Sequence, residues 1–418
     1  MFISESDESR LVVADQKAGT LYALDPHTAV IVRQDTDTVV AEHAGFLALP
    51  GDRLAYVDDA AGELVVLDIF TPAPDWRESK VSVAIPGEHL AASNDGRFVA
   101  VTTGLGLAFE PWSDLITLTD RQATRPRSRR FRTRRGEPGV IIARDISDPP
   151  ASPAVVIRHR EPGALEAITV SAIQTAPAHG PVLRGALTQL PDDGHGDAYD
   201  PATGMIFSAT SVGVHRHTLE NGVLVAHETL PWNSPGRAYF LRFCPRDRTL
   251  FAVVRGGEPN PNNWHTWTNR LWRFSLDTEE ISTLTIGAGL VFRLALTQDH
   301  AVVTRIDPHG DEAISFRRNP MSALHEEGRS ALLPMRNAPE PGREPWDRAE
   351  RRAVAASPKG SLFAVTRGGH GEVHILDAAR PGAPGCTIQL PTPLHEGGHM
   401  AWLIRGEGDT FGHDLVGR

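Results

Sequence analysis

Four histidines stand just ahead of, or within, short apolar runs. His43 precedes Phe46-Leu-Ala-Leu, His89 precedes Leu90-Ala-Ala-Ser93, His195 precedes Ala198, and His399 opens His399-Met-Ala-Trp-Leu-Ile404. A neutral imidazole is a good ligand for Fe, Cu or Zn. If these runs are the inner strands of four adjacent blades arranged about one axis, the four rings could share a transition metal there. The plainer alternative is that they are separate polar residues at strand starts, in a chain with 18 histidines.

A second set is cationic. Arg255, Arg305 and Arg367 sit in like phrases, Val-Val-Arg-Gly-Gly, Val-Thr-Arg-Ile-Asp and Val-Thr-Arg-Gly-Gly. A guanidinium takes carboxylate or phosphate through a planar fork. Three of them on one face would suit a small anionic molecule; otherwise each pairs with a local acid such as Glu258, Asp307 or Glu372. Two long loops could cover such a face. Gly256–Asn269 carries Trp264, His265 and Trp267, which read as an exposed binding wall. Gly104–Pro138 carries Phe109, Trp112 and a basic run from Arg121 to Arg135, which reads as a solvated hairpin or as a binding element for an acidic partner, an anionic ligand or nucleic acid.

The elements that must place these residues are read most easily from Arg352 to Pro391. There Val354–Ser357, Leu362–Thr366, Val373–Leu376 and Cys386–Leu390 are divided by Gly, Pro and Asp, the mark of a four-stranded antiparallel meander. The plan recurs along the chain, so the expected architecture is all-β: a seven-bladed β-propeller of four-stranded antiparallel blades. His399–Ile404 is expected to supply the innermost strand of the blade begun by Arg10-Leu-Val-Val-Ala14, which closes the ring with both chain ends. The whole chain, 1–418, reads as a single domain with insertions at 104–138, 161–194 and 256–269 on one face; an eighth blade is the alternative for 161–194. Aspartates close several third strands, at Asp25, Asp68, Asp145, Asp277 and Asp377, where a side-chain hydrogen bond shapes the turn.

Leu11-Val-Val-Ala-Asp…Leu-Tyr-Ala-Leu-Asp25 and Leu362-Phe-Ala-Val-Thr…Val-His-Ile-Leu-Asp377 resemble the YVTN-type and WD40-like propellers. The resemblance implies a ligand site on the face where inner strands begin. The Trp-Asp pair of true WD40 blades is absent from the third-strand ends. In its inner-strand histidines alone, the chain is similar to the iron-dependent carotenoid-cleaving propellers.

Composition narrows the function. The net charge of −10 argues against a general nucleic-acid binder. Cys244 and Cys386 are the only cysteines, so a disulfide framework is not indicated, and a reduced, cytoplasmic setting is expected. The acidic N-terminus does not read as a signal peptide, and no run reaches a membrane-spanning length. Phosphate-binding glycine loops, zinc-protease helices and nucleophile elbows are missing. Two readings follow. One is a metal-dependent enzyme, a lyase, hydrolase or oxygenase, acting on a small anionic substrate. The other is a non-catalytic scaffold that binds a protein partner through its loops.

Overall fold

The strands of this chain carry two kinds of pattern. Second and third strands are apolar almost throughout: Ser9–Asp15, Arg53–Asp58 and Glu63–Asp68 are nearly all buried. Outermost strands alternate, as Val30–Thr36 and Arg77–Ser82 do, with every other residue in solvent. That difference means the middle strands are covered on both faces while the outer ones are covered on one. A ring of sheets stacked face to face has that property.

The computed structural model describes residues 8–105, 113–123, 126–147, 152–318 and 323–406. Phe109, Trp112 and His413 lie outside the described residues. The described strands form eight antiparallel sheets, each of four strands apart from a split inner strand in the sixth. Blade 1 places His399–Ile404 innermost against Ser9–Asp15, with Ala14 opposite His399 and Ser9 opposite Ile404. The expected closure by both chain ends is therefore present.

Eight apolar clusters, one for each pair of neighbouring blades, fill the gaps between sheets. The cluster of Leu11, Val13, Tyr22 and Trp402 with Ala355, Val373 and Ile388 joins the last blade to the first, which closes the circle.

The blade count corrects the expected seven. Residues 104–138 are not an insertion. They contain Leu115–Asp120 and Arg127–Arg132, the third and fourth strands of blade 3 after Gly87–Ala92 and Phe98–Thr103. Blade 4 then consists of Gly139–Arg144, Pro153–Arg160, Gly163–Thr169 and Ala186–Gln189, with the short helix Val170–Thr175 before its last strand. The segment 161–194 thus supplies half a blade. Blade 5 begins at Asp197–Asp200, blade 6 at Arg237–Ala238, blade 7 at Leu290–Leu296 and blade 8 at Val354–Ala356. Asp145 correspondingly leaves the set of third-strand aspartates. It follows an inner strand and accepts hydrogen bonds from the Ser147, Asn221 and Gly222 amides. No described helix is long and apolar enough to cross a membrane.

Candidate functional site at the axial mouth

Each inner strand begins at the same end of the ring, beside the end of its second strand. Gly87 lies opposite Thr103, Arg237 opposite Arg255, and Leu290 opposite Ile306. This end is the axial mouth. His43, His89, His195 and His399 all reach it, from blades 2, 3, 5 and 1 rather than from four adjacent blades.

The structure gathers these histidines in part. His89 and His195 line one cavity of about 40 Å³ with Val140, Asp197, Tyr239 and Leu241, enough for a water molecule or an ion. His195 Nδ1 lies 2.8 Å from the Tyr239 carbonyl oxygen, an acceptor only. The proton is therefore on Nδ1, and Nε2 keeps its lone pair. His89 Nδ1 is buried without a hydrogen-bond partner. Burial, and next the Arg158 guanidinium, pushes His89 down to about 3; the same causes hold His195 well below the usual histidine range. Both rings are thus neutral at physiological pH.

His43 and His399 lie further round the mouth. His43 Nδ1 is 2.6 Å from Oε2 of the buried Glu88. His399 is buried against Phe46, with both ring nitrogens lacking a hydrogen-bond partner, and is pushed down to about 3 by burial and then by Arg293. Among the described residues, no three His, Cys, Asp or Glu side chains stand close enough to hold one metal ion together. The four-histidine centre expected from sequence is not assembled; a two-imidazole cavity is.

Blade 4, which sequence reading did not resolve, contributes Val140 to the lining of this cavity and an arginine that pairs with its Asp197. Arg158 is 2% exposed; its Nε donates to Asp197 Oδ2 at 2.8 Å and its Nη1 to the Gly194 carbonyl at 2.7 Å. Ser208 Oγ donates to the other Asp197 oxygen at 2.7 Å. Gly139 lets these groups meet: a Cβ there would collide with both the Asp197 carboxylate and the Arg158 guanidinium.

The three expected arginines do not form a cluster with one role. Arg305 is held by Asp307 and Glu312, each at 2.6 Å. Arg367 pairs with both Glu372 oxygens at 3.0 Å and donates to the Pro334 carbonyl. These are local acids, as the alternative reading had it. Arg255 differs. Its guanidinium carbon lies over the rings of both Tyr239 and Trp267, 4.3 and 4.4 Å from the centroids, and it forms no ion pair among the described residues. Glu258, its expected partner, instead accepts a hydrogen bond from Asn263.

The loop tryptophans are not an exposed wall. Trp264 and Trp267 are buried with Leu290, Ile306 and Met335. The cause is the connector after blade 7, which folds over them: Trp264 Nε1 donates to the Glu340 carbonyl, and Trp346 stacks on Trp267. His265 stays partly exposed on the turn Pro261–Thr266. A cavity of about 590 Å³ lies at the opposite end between blades 8 and 1, lined by Ser9, Lys359, Leu362 and Cys386, away from these groups.

No family model and no curated protein matches the chain. Solved structures do. Apo AztD from Citrobacter koseri aligns over 95% of this chain and 98% of its own, with a TM-score of 0.64 and 11% identity. The dihydro-heme d1 dehydrogenase NirN, in complex with DHE, aligns over 96% of this chain and 76% of its own, with a TM-score of 0.60 and 13% identity. A functionally unknown protein from Desulfotomaculum acetoxidans gives a TM-score of 0.51 at 12% identity, over 94% and 98%. At such identities the likeness establishes the β-propeller fold.

Proposed function

We propose that this protein is a metal-dependent propeller that takes a transition-metal ion at the axial mouth, with His89 and His195 as its nitrogen donors. The observation that carries the reading is the ion-sized cavity flanked by two neutral imidazoles, one oriented by a backbone carbonyl. Two protein donors leave the remaining coordination positions to water or to a small ligand. An open coordination sphere of that kind suits a Lewis acid that polarises substrate or activates water or oxygen. Lyase, hydrolase and oxygenase chemistry are all compatible with it. The structural neighbours include a protein described as apo and another in complex with DHE, so this fold accommodates bound groups.

The test is calorimetric titration of chelator-treated protein with Zn²⁺, Cu²⁺ and Fe²⁺. One saturable equivalent is expected for at least one ion. His195→Ala should weaken it at least about tenfold, the scale of losing a good ligand. Binding that is absent, or unchanged in a folded His89→Ala/His195→Ala protein, rejects the proposal.

One observation favours the scaffold reading. The basic run is an ordered outer strand, Arg127–Arg132, and Arg127, Arg129, Arg130 and Arg132 form no ion pair with a carboxylate among the described residues. It would suit an acidic protein partner, and Arg127→Gln with Arg132→Gln is the discriminating variant.

A further inference from the structure

Tyr239 joins the imidazole cavity to a second group of side chains. Its carbonyl accepts from His195 Nδ1, and its ring meets the His195 ring edge-on with centroids 5.2 Å apart. On that same ring lie two guanidiniums. Arg255 is 4.3 Å from the centroid and Arg237 is 4.6 Å. Arg237 also donates through Nε to the Tyr239 hydroxyl at 2.9 Å. The two arginines are opposite each other in the blade 6 ladder.

Two like charges held on one ring repel, and a protein normally places a carboxylate between them. Neither arginine forms an ion pair among the described residues, although other arginines at this end, Arg305, Arg351 and Arg367, each have one. The Arg255 Nε is buried without an acceptor. Burial, opposed by Tyr239 and aided by Arg237, pushes Arg255 down to about 10. The Arg255 guanidinium carbon lies over both the Tyr239 and the Trp267 ring, which leaves its N–H edge as the part that can meet a ligand. The edge is where its donors match a two-oxygen anion.

We propose that Arg237 and Arg255, fixed on Tyr239, form an oxyanion subsite for the carboxylate or phosphate of a small ligand whose remainder reaches the His89–His195 cavity. The subsite deepens the metal-site reading by naming the class of ligand that lies beside it. It replaces the three-arginine cluster expected from sequence with a pair, one member of which, Arg237, sequence reading did not single out.

The probes are inorganic phosphate and succinate, titrated at low ionic strength in the presence of EDTA. Chloride at matched ionic strength is the control. Tryptophan fluorescence reports, because Trp267 stacks on Arg255. Saturable quenching or enhancement is expected with one or both oxyanions, and which one responds assigns the subsite to carboxylate or phosphate. Arg255→Gln and Arg237→Gln should each weaken binding at least about tenfold, as loss of a charged fork does. Arg255→Lys should not restore it, because an ammonium lacks the fork. If Arg255→Gln does not fold, Arg237→Gln, at a partly exposed residue, carries the test. No saturable response to either oxyanion, an equal response to chloride, or unaltered affinity in the folded glutamine variants overturns the subsite. His89→Ala/His195→Ala should keep oxyanion binding in EDTA, so a failed metal site and a failed oxyanion subsite give different results.

Discussion

Asp197 is the residue on which the axial cavity turns. It neutralises Arg158, which is almost entirely out of water, and it is oriented by Ser208. A buried ion pair contributes little net stability, but breaking one leaves an uncompensated charge in a poor solvent. Asp197→Asn is therefore expected to lower the unfolding free energy by about 3–5 kcal/mol. Adding Arg158→Met should restore much of that loss, since an apolar chain replaces the stranded cation. Urea denaturation of the single and double variants decides. A single variant as stable as the parent would mean that water solvates Arg158 and the cavity is not closed as described. The double variant also removes the Arg158 charge that depresses both rings; at His89 the simultaneous loss of Asp197, which raises it, opposes the change, so His195 is the ring that should titrate at higher pH, as imidazole proton resonances would show.

At the scale of elements, the basic strand Arg127–Arg132 decides between a fold role and a docking role. Its backbone pairs with Leu115–Asp120 throughout, and the Arg132 amide donates to the Pro181 carbonyl on its other side. Charged side chains on an outer strand also discourage edge-to-edge association. Arg127→Gln with Arg132→Gln should leave the melting temperature unchanged and abolish binding of a polyglutamate peptide if the strand docks an acidic partner. Unchanged peptide binding, or none in the parent, removes the scaffold reading. This strand also shows why the blade count was hard to read. Of its six residues only Phe131 is apolar, because an outer strand packs one face against little. Yet the strand before it, Leu-Ile-Thr-Leu-Thr-Asp120, ends in the aspartate that marks third strands elsewhere, and Asp120 accepts the Gln122 amide as those do. That signal was available. The histidines were legible because they lie next to apolar runs. Arg158 was not: it follows the apolar run Ala154–Ile157 within its strand, and its partner is 39 residues away, adjacent only once the ring is built. Trp264 and Trp267 misled because the connector that buries them is remote in sequence.

Across the whole molecule, convergence of these groups depends on the ring being closed, and closure depends on one strand. His399–Ile404 is buried along its whole length. Trp402, 1% exposed, packs between blades 8 and 1 and donates through Nε1 to Ser9 Oγ at 2.7 Å, which ties the two chain ends together. In an open stack of repeats, losing a terminal unit costs only that unit and one interface. In a closed ring it also frees a long apolar edge, here Ser9–Asp15. Trp402→Ala should therefore cost about 3–5 kcal/mol by cavity formation alone. A chain ending at Gly398 should do worse: it should lose its single cooperative transition and self-associate, as seen by light scattering and urea denaturation. A truncated chain that stayed monomeric with the parent's midpoint would show that the terminal strand does not hold the ring shut. The mouth would then need another explanation for bringing His399 beside Glu42, and His89 beside His195.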